Sequence, residues 1–141
     1  MREKKRNPFK LRDFIGVDPE VIARLAACGI KTSDQMLAAG CTRKRRAALA
    51  VETGLPAGTI LELVYLSDLA RLPGVKGIRA RLYYAAGVTS VEKMALWEPE
   101  ALLQLTADFV ERTQFPGIPP LPKEVSSTIA NARSLPRVVE D

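Results

Sequence analysis

The residues best suited to chemistry in this sequence lie in the stretch LARLPGVKGIRARL, between Leu69 and Leu82. An apolar pair, a Pro-Gly turn and a second helix-like run predict a helix, a tight turn and a helix. Glycine allows positive φ in such a turn, and the following helix begins with unpaired N–H groups that suit an anion. We therefore expect the Pro-Gly turn in this stretch to bind a phosphate; it is called the second turn, because a similar one precedes it in the chain. The predicted ligands are Gly74, Val75, Lys76, Gly77, Arg79 and Arg81.

The stretch resembles the helix-hairpin-helix motif, whose usual form is apolar-Pro-Gly-apolar-Gly followed by a helix with an inward alanine. Residues 73–75 and Ala80 match that form, whereas Lys76 stands where the second glycine is usual and Gly77 is displaced by one position. Lysine can adopt this turn where its φ is negative. The resemblance implies binding to nucleic-acid phosphates without base reading. The alternative is that the turn only locks two helices together.

A similar pattern occurs 58 residues earlier, where Gly16-Val17 repeats Gly74-Val75. We predict an internal duplication from this constant offset. Further pairs at the same offset are Ala27 and Ala85, Gly29 and Gly87, Ile30 and Val88, Asp34 and Glu92, and Met36 and Met94. The first turn precedes Asp18-Pro19-Glu20, which puts carboxylates where a phosphate would bind, so we expect this copy to be structural. A role for Gly16 and Val17 in binding stays open.

The densest positive run is Arg43-Lys44-Arg45-Arg46, after a predicted helix cap at Thr42. Cations at a helix start oppose the helix dipole, so a function in nucleic-acid binding is one interpretation. A solvated basic face is the other. Since successive helical residues point in different directions, at most two of the four side chains can face one partner.

Composition favours a soluble globular protein that attracts acidic partners. The 141 residues are 47% apolar, and 21 Lys and Arg against 16 acids give a net charge of +5. Histidine is absent, and two cysteines, Cys28 and Cys41, are too few for a zinc site. We therefore expect no metal, no cofactor and no enzymatic activity. Without a secretory signal or membrane span, a cytoplasmic location with free thiols is expected.

Helical periodicity and capping residues predict an all-α fold, a compact bundle of short helices. Thr59 and Thr89 are the expected caps of two of these helices. We divide the chain into a flexible basic arm (1–10), a tandem helix-hairpin-helix domain (11–115), and a proline-rich strap with a last helix packed on the domain (116–141). Ile118 and Leu121 are expected to anchor the strap in the core; the alternative is that the strap is a proline-rich ligand for a partner groove.

Beyond these turns, the chain resembles an uncharacterised bacterial family, domain of unknown function 4332. The resemblance rests on GVDPEVIARLAACGIKT, on TGLPAGTILELVYLSDLARLPGVKGIRARLYYAAGVTSVEKMA and on SLPRVVE. It implies a tandem helix-hairpin-helix fold and no established activity. We expect low-specificity binding to nucleic acid, favouring duplex DNA. The alternative is a protein-interaction or scaffold domain. Trp97, Tyr83 and Tyr84 are expected in the core, with base stacking as the other possibility.

Overall fold

The computed structural model of the protein describes residues 9–141. In that range the chain forms α-helices and one short 3-10 helix, and one isolated antiparallel bridge pairs Lys10 with Thr32. The predicted all-α class is confirmed. The elements are the 3-10 helix Leu11–Asp13, α1 Pro19–Ala27, α2 Ser33–Gly40, α3 Arg43–Thr53, α4 Ala57–Leu69, α5 Gly77–Ala85, α6 Val91–Ala95, α7 Pro99–Thr113 and α8 Pro122–Ser134.

Most of the predicted basic arm, residues 1–8, lies outside the described residues. Its last two residues belong to the fold. The ring of Phe9 lies 4.7 Å from that of Phe14, and the Phe9 carbonyl accepts the Ser33 N–H at 2.6 Å. The segment 9–14 is therefore attached to the start of α2.

Side-chain caps mark the starts of four of the eight α-helices in residues 9–141, and three of these caps agree with the sequence prediction. Asp18 accepts the Glu20 N–H, Thr32 forms a capping box with Gln35, and Thr42 accepts the Arg45 N–H. Each side-chain oxygen satisfies an N–H group that has no partner inside its helix.

Two of the expected caps are wrong. α6 is capped by Ser90, which accepts the Lys93 N–H at 3.2 Å, whereas the buried hydroxyl of Thr89 has no partner within residues 9–141. α4 begins at Ala57, directly after Pro56 at φ −60°, instead of after Thr59. Because proline already holds a helix-compatible φ, the helix can start beside it without a side-chain cap.

α4 is the central helix and packs against α2, α3 and α5. Its apolar residues Ile60, Leu63, Val64, Leu66 and Leu69 are all inaccessible to solvent. A Cβ at Gly40 would lie only 2.5 Å from Cγ2 of Val64, so glycine allows α2 to approach α4 closely. The broad apolar surface of α4 is thus covered on several sides.

A buried carboxylate at the end of α4 joins distant parts of the chain. Asp68 is 2% exposed; it accepts the Val91 N–H at 2.8 Å and pairs with Arg71 at 2.8 Å. Arg71 also donates to the Pro136 carbonyl at 3.1 Å. This network connects the start of α6 and the segment after α8 to the second turn.

The strap packs differently from the expectation. Pro120 is buried, but Ile118 and Leu121 are 75% and 68% exposed, so their predicted role as core anchors is wrong. An extended proline-rich segment has about three residues per turn, so residues 118 and 121 share a face that Pro120 does not. The strap leads into α8, which packs on α6 and α7.

Candidate nucleic-acid interface

The second turn (72–76) connects α4 to α5 through a short hydrogen-bonded loop. The Val75 N–H donates to the Leu72 carbonyl at 3.0 Å, and Gly74 takes φ +80°, a conformation that favours glycine. Lys76 has φ −116° and is the residue before α5. Its negative φ is the condition under which lysine fits this turn.

Packing explains why position 77 is occupied by glycine. Gly77 is buried and its φ is not positive, but a Cβ there would clash with the backbone oxygen of Asp13 and lie 3.0 Å from the Phe9 ring. Gly77 therefore serves close approach between the start of α5 and the segment 9–14.

The start of α5 carries no side-chain cap. Within residues 9–141, the N–H groups of Lys76, Gly77 and Ile78 have no hydrogen-bond acceptor. The Lys76 side chain is exposed. Unpaired N–H groups and the positive end of the helix dipole make such a helix start suitable for an anion.

A cleft of about 690 Å³ lies between the segment 9–13 and residues 70–76. Its charged lining is mostly positive. Four cations, Lys10, Arg12, Arg71 and Lys76, line it together with one carboxylate, Asp13. Lys10 was predicted to belong to the basic arm, whose part in binding stayed open, and Arg12 was not among the predicted binding residues. The apolar pair Leu11 and Phe14 is the sequence signal that this segment packs.

Arg79 and Arg81 do not line the cleft. Arg79 pairs with Glu124 at 2.7 Å and donates to the Ile118 carbonyl, which attaches α5 to the strap and α8. Arg81 donates to the Ile15 carbonyl at 2.6 Å and lies 3.4 Å from a Glu62 oxygen. The two side chains are 15% and 13% exposed, so both are engaged in holding the fold.

The basic run at the start of α3 lies apart from the cleft lining. Arg46 is buried and donates to the Gly40 carbonyl at 2.9 Å, and Arg45 donates to the Ala38 carbonyl at 2.7 Å. The Arg43 guanidinium donates to the Asp141 carbonyl. Lys44 is exposed and has no partner within the described range.

A family model described as Domain of unknown function (DUF4332) matches residues 16–135. The chain belongs to this family. No curated protein and no solved structure matches the chain.

The DUF4332 match contains the second turn and begins at Gly16 within the first, whereas Lys10, Arg12 and residues 136–141 lie outside it. The cleft therefore combines the matched second turn with cations that precede the matched residues.

The aromatic residues of this DUF4332 chain lie mainly in the core. Tyr83 is inaccessible to solvent, and burial, followed by the charge of Glu124, raises the pKa of its phenol to about 12. Trp97 and Tyr84 are half-buried and pack against the core. Stacking of Tyr83 on a base would require its ring to leave its buried position.

Within residues 9–141, no group of three or more potential metal-ligating side chains comes together, and both Cys28 and Cys41 are free thiols. None of the helices described combines the length and the apolar character needed to cross a bilayer.

Proposed function

We propose that this DUF4332 chain binds nucleic acid, favouring duplex DNA, through backbone phosphates and without sequence preference. The observation that carries the proposal is the uncapped start of α5, with exposed Lys76 at the turn and Lys10 and Arg12 in the same cleft. Backbone N–H groups and flexible cations are the groups that usually contact phosphates. The turn presents backbone and lysine where base reading would need a set of side chains directed into a groove.

The test is fluorescence anisotropy of a short labelled duplex over a salt series, with the wild-type protein and Lys76→Glu. We expect wild-type binding to fall with salt at a log-log slope of about −2 to −5, as a few phosphate contacts require. Lys76→Glu should weaken binding about 5- to 20-fold at low salt and reduce the slope by about 1.

Lys123→Glu is the matched control, because Lys123 is exposed, lies outside the cleft and gives the same change of net charge. Arg79 is left unchanged, since a carboxylate there would face Glu124 and loosen α8. Failure of duplex, single strand and RNA to bind at low salt would overturn the proposal. Equal losses in the two variants would remove the second turn from it.

A second candidate function, protein interaction or scaffolding, is favoured by the exposed strap. Prolines at 116, 119 and 122 recur at every third position, and exposed Ile118 and Leu121 follow the same period. In a polyproline II conformation each set shares one face. Such a face fits an aromatic-lined groove of a partner protein.

Nuclear magnetic resonance with indole, a mimic of an aromatic groove, tests this second candidate. We expect shifts to concentrate at residues 116–122 and to disappear in Ile118→Ser, Leu121→Ser, whose DNA binding should equal that of the wild type. Shifts elsewhere, or none, would contradict it.

A further inference from the structure

Residues 137–141, here called the acidic tail, follow α8 and Pro136 in the chain and fold back onto the start of α3. The Glu140 N–H donates to the Cys41 carbonyl at 2.7 Å, and the Glu140 carboxylate accepts the Arg43 N–H at 3.0 Å. Val139 is 4% exposed and anchors the segment in the core. The tail therefore places a carboxylate at a helix start whose first turn contains three cations and no acid.

Asp141 extends this contact across the neighbouring helix. Its backbone carbonyl accepts from the Arg43 guanidinium, and its carboxylate accepts the Tyr65 hydroxyl at 2.7 Å. Burial, followed by Asp141, raises the pKa of Tyr65 to about 12, so the phenol stays a donor at neutral pH. The tail's own cation, Arg137, pairs with Asp141 at 3.1 Å and with Glu92 at 3.2 Å.

The contacts that hold the acidic residues are strong enough to seat the tail and weak enough to exchange. Arg43, Glu140 and Asp141 are exposed, and ion pairs and hydrogen bonds at such positions contribute little individually and are screened by salt. A polyanion that offers several phosphates at once can replace two carboxylates. The Glu140 carboxylate accepts the Arg43 N–H, and the Asp141 backbone carbonyl accepts from the Arg43 guanidinium. An N–H group at a helix start and a guanidinium are also groups that bind phosphate.

The tail also begins at the cleft. Arg71, which lines the cleft, donates to the carbonyl of Pro136, directly before the tail. The tail thus runs from the proposed phosphate site at the second turn to the basic start of α3.

We propose that the acidic tail is an intramolecular competitor, which occupies a second phosphate-contact site formed by the N–H group and the guanidinium of Arg43. The proposal rests on the proposed nucleic-acid binding and describes how that binding is limited. With the tail bound, DNA reaches the cleft and exposed Lys44; with the tail displaced, Arg43 contributes further contacts. The apparent affinity of DNA for the Arg43 site equals its intrinsic affinity multiplied by the fraction of molecules whose tail is released.

The test uses the full chain with Glu140→Gln, Asp141→Asn, which keeps the shape of both side chains. We expect duplex binding about 3- to 10-fold tighter at low salt, with a log-log salt slope steeper by about 1, because phosphates gain access to α3. Asp108→Asn, Glu111→Gln is the matched control: it changes net charge equally at exposed positions on α7. Equal gains in both variants would overturn the proposal.

Two further variants separate competition from charge. Tyr65→Phe removes a tail contact without changing net charge, and we expect about twofold tighter binding. Arg43→Ala, added to the tail variant, should remove most of its gain, since the Arg43 guanidinium is the cation that the tail contacts. A tail variant with a lower melting temperature and unchanged affinity would show a structural tail and overturn the proposal. If the wild type and every variant fail to bind, the proposed function itself fails.

Discussion

The first turn (14–18) and the second turn (72–76) both contain a glycine at positive φ but have opposite chemistry. Gly16 and Gly74 have φ +81° and +80°, and a nine-residue helix follows each turn. At the first, the Asp18 carboxylate accepts the Glu20 N–H at 2.8 Å. At the second, Lys76 occupies the corresponding position and caps nothing. One side chain thus decides whether the helix start is satisfied internally or can receive an external anion.

The correspondence continues beyond the turns. The Ile30 N–H donates to the Leu25 carbonyl at 2.9 Å, and Val88 donates to Tyr83 at 2.8 Å, again 58 positions later. An internal duplication would produce this repetition. The duplication and the helix-hairpin-helix assignment stay predictions.

The two turns also support one another. Arg81, from the helix after the second turn, donates to Ile15 in the first and would lie 3.4 Å from a Cβ at Gly16. The backbone of Asp13 approaches Gly77. The first turn and the segment 9–14 therefore support the second turn and the helix that follows it.

The largest expected effect on stability is at Gly77, where the backbone of Asp13 lies close. Gly77→Ala should lower the free energy of unfolding by about 2–3 kcal/mol, since its Cβ meets backbone that must shift. Urea denaturation measures the loss. Gly58→Ala is the control, because a Cβ there meets nothing within 4 Å and alanine favours the helix. Equal free energies of unfolding for the two variants would contradict the close approach of Asp13 to Gly77.

Arg81→Met tests whether Arg81 joins the turns. We expect a loss of about 1–2 kcal/mol, because the Ile15 carbonyl and Glu62 lose a mostly buried donor. Duplex binding by the folded variant should match the wild type. Arg24→Met, which removes an exposed pair with Glu20, should cost less than about 0.5 kcal/mol. Weaker DNA binding without lost stability would return Arg81 to the interface.

The smallest expected change in stability gives the sharpest comparison. Lys76→Asp should stabilise the protein by about 1 kcal/mol, because Lys76 has extended φ and ψ and aspartate there can cap α5 as Asp18 caps α1. The same change should abolish duplex binding at the second turn. Thermal unfolding and anisotropy measure the two effects. Asp18→Ala should cost about 1 kcal/mol and leave binding unchanged; lower stability in both variants would contradict the comparison.

The fold class and much of the capping could be predicted because their causes are local. Asp18, Thr32 and Thr42 bond N–H groups two or three residues away, so sequence spacing is sufficient evidence. Which residues of the strap are buried was harder to predict from the sequence. Whether Pro120 or its apolar neighbours faces the core depends on the helices beneath, which spacing within the strap does not specify.

The amino-acid sequence by itself determined the all-helical class, several of the helix caps and the position of a glycine turn that suits an anion. Only the tertiary structure decided which cations stay accessible beside that turn. Arg79, Arg81 and Arg43 bond to carbonyls 39, 66 and 98 residues away, whereas Lys10 and Arg12 reach the cleft because their segment packs there. Helix caps form within a few residues, but the partners of long cationic side chains come from wherever the fold brings carboxylates and carbonyls.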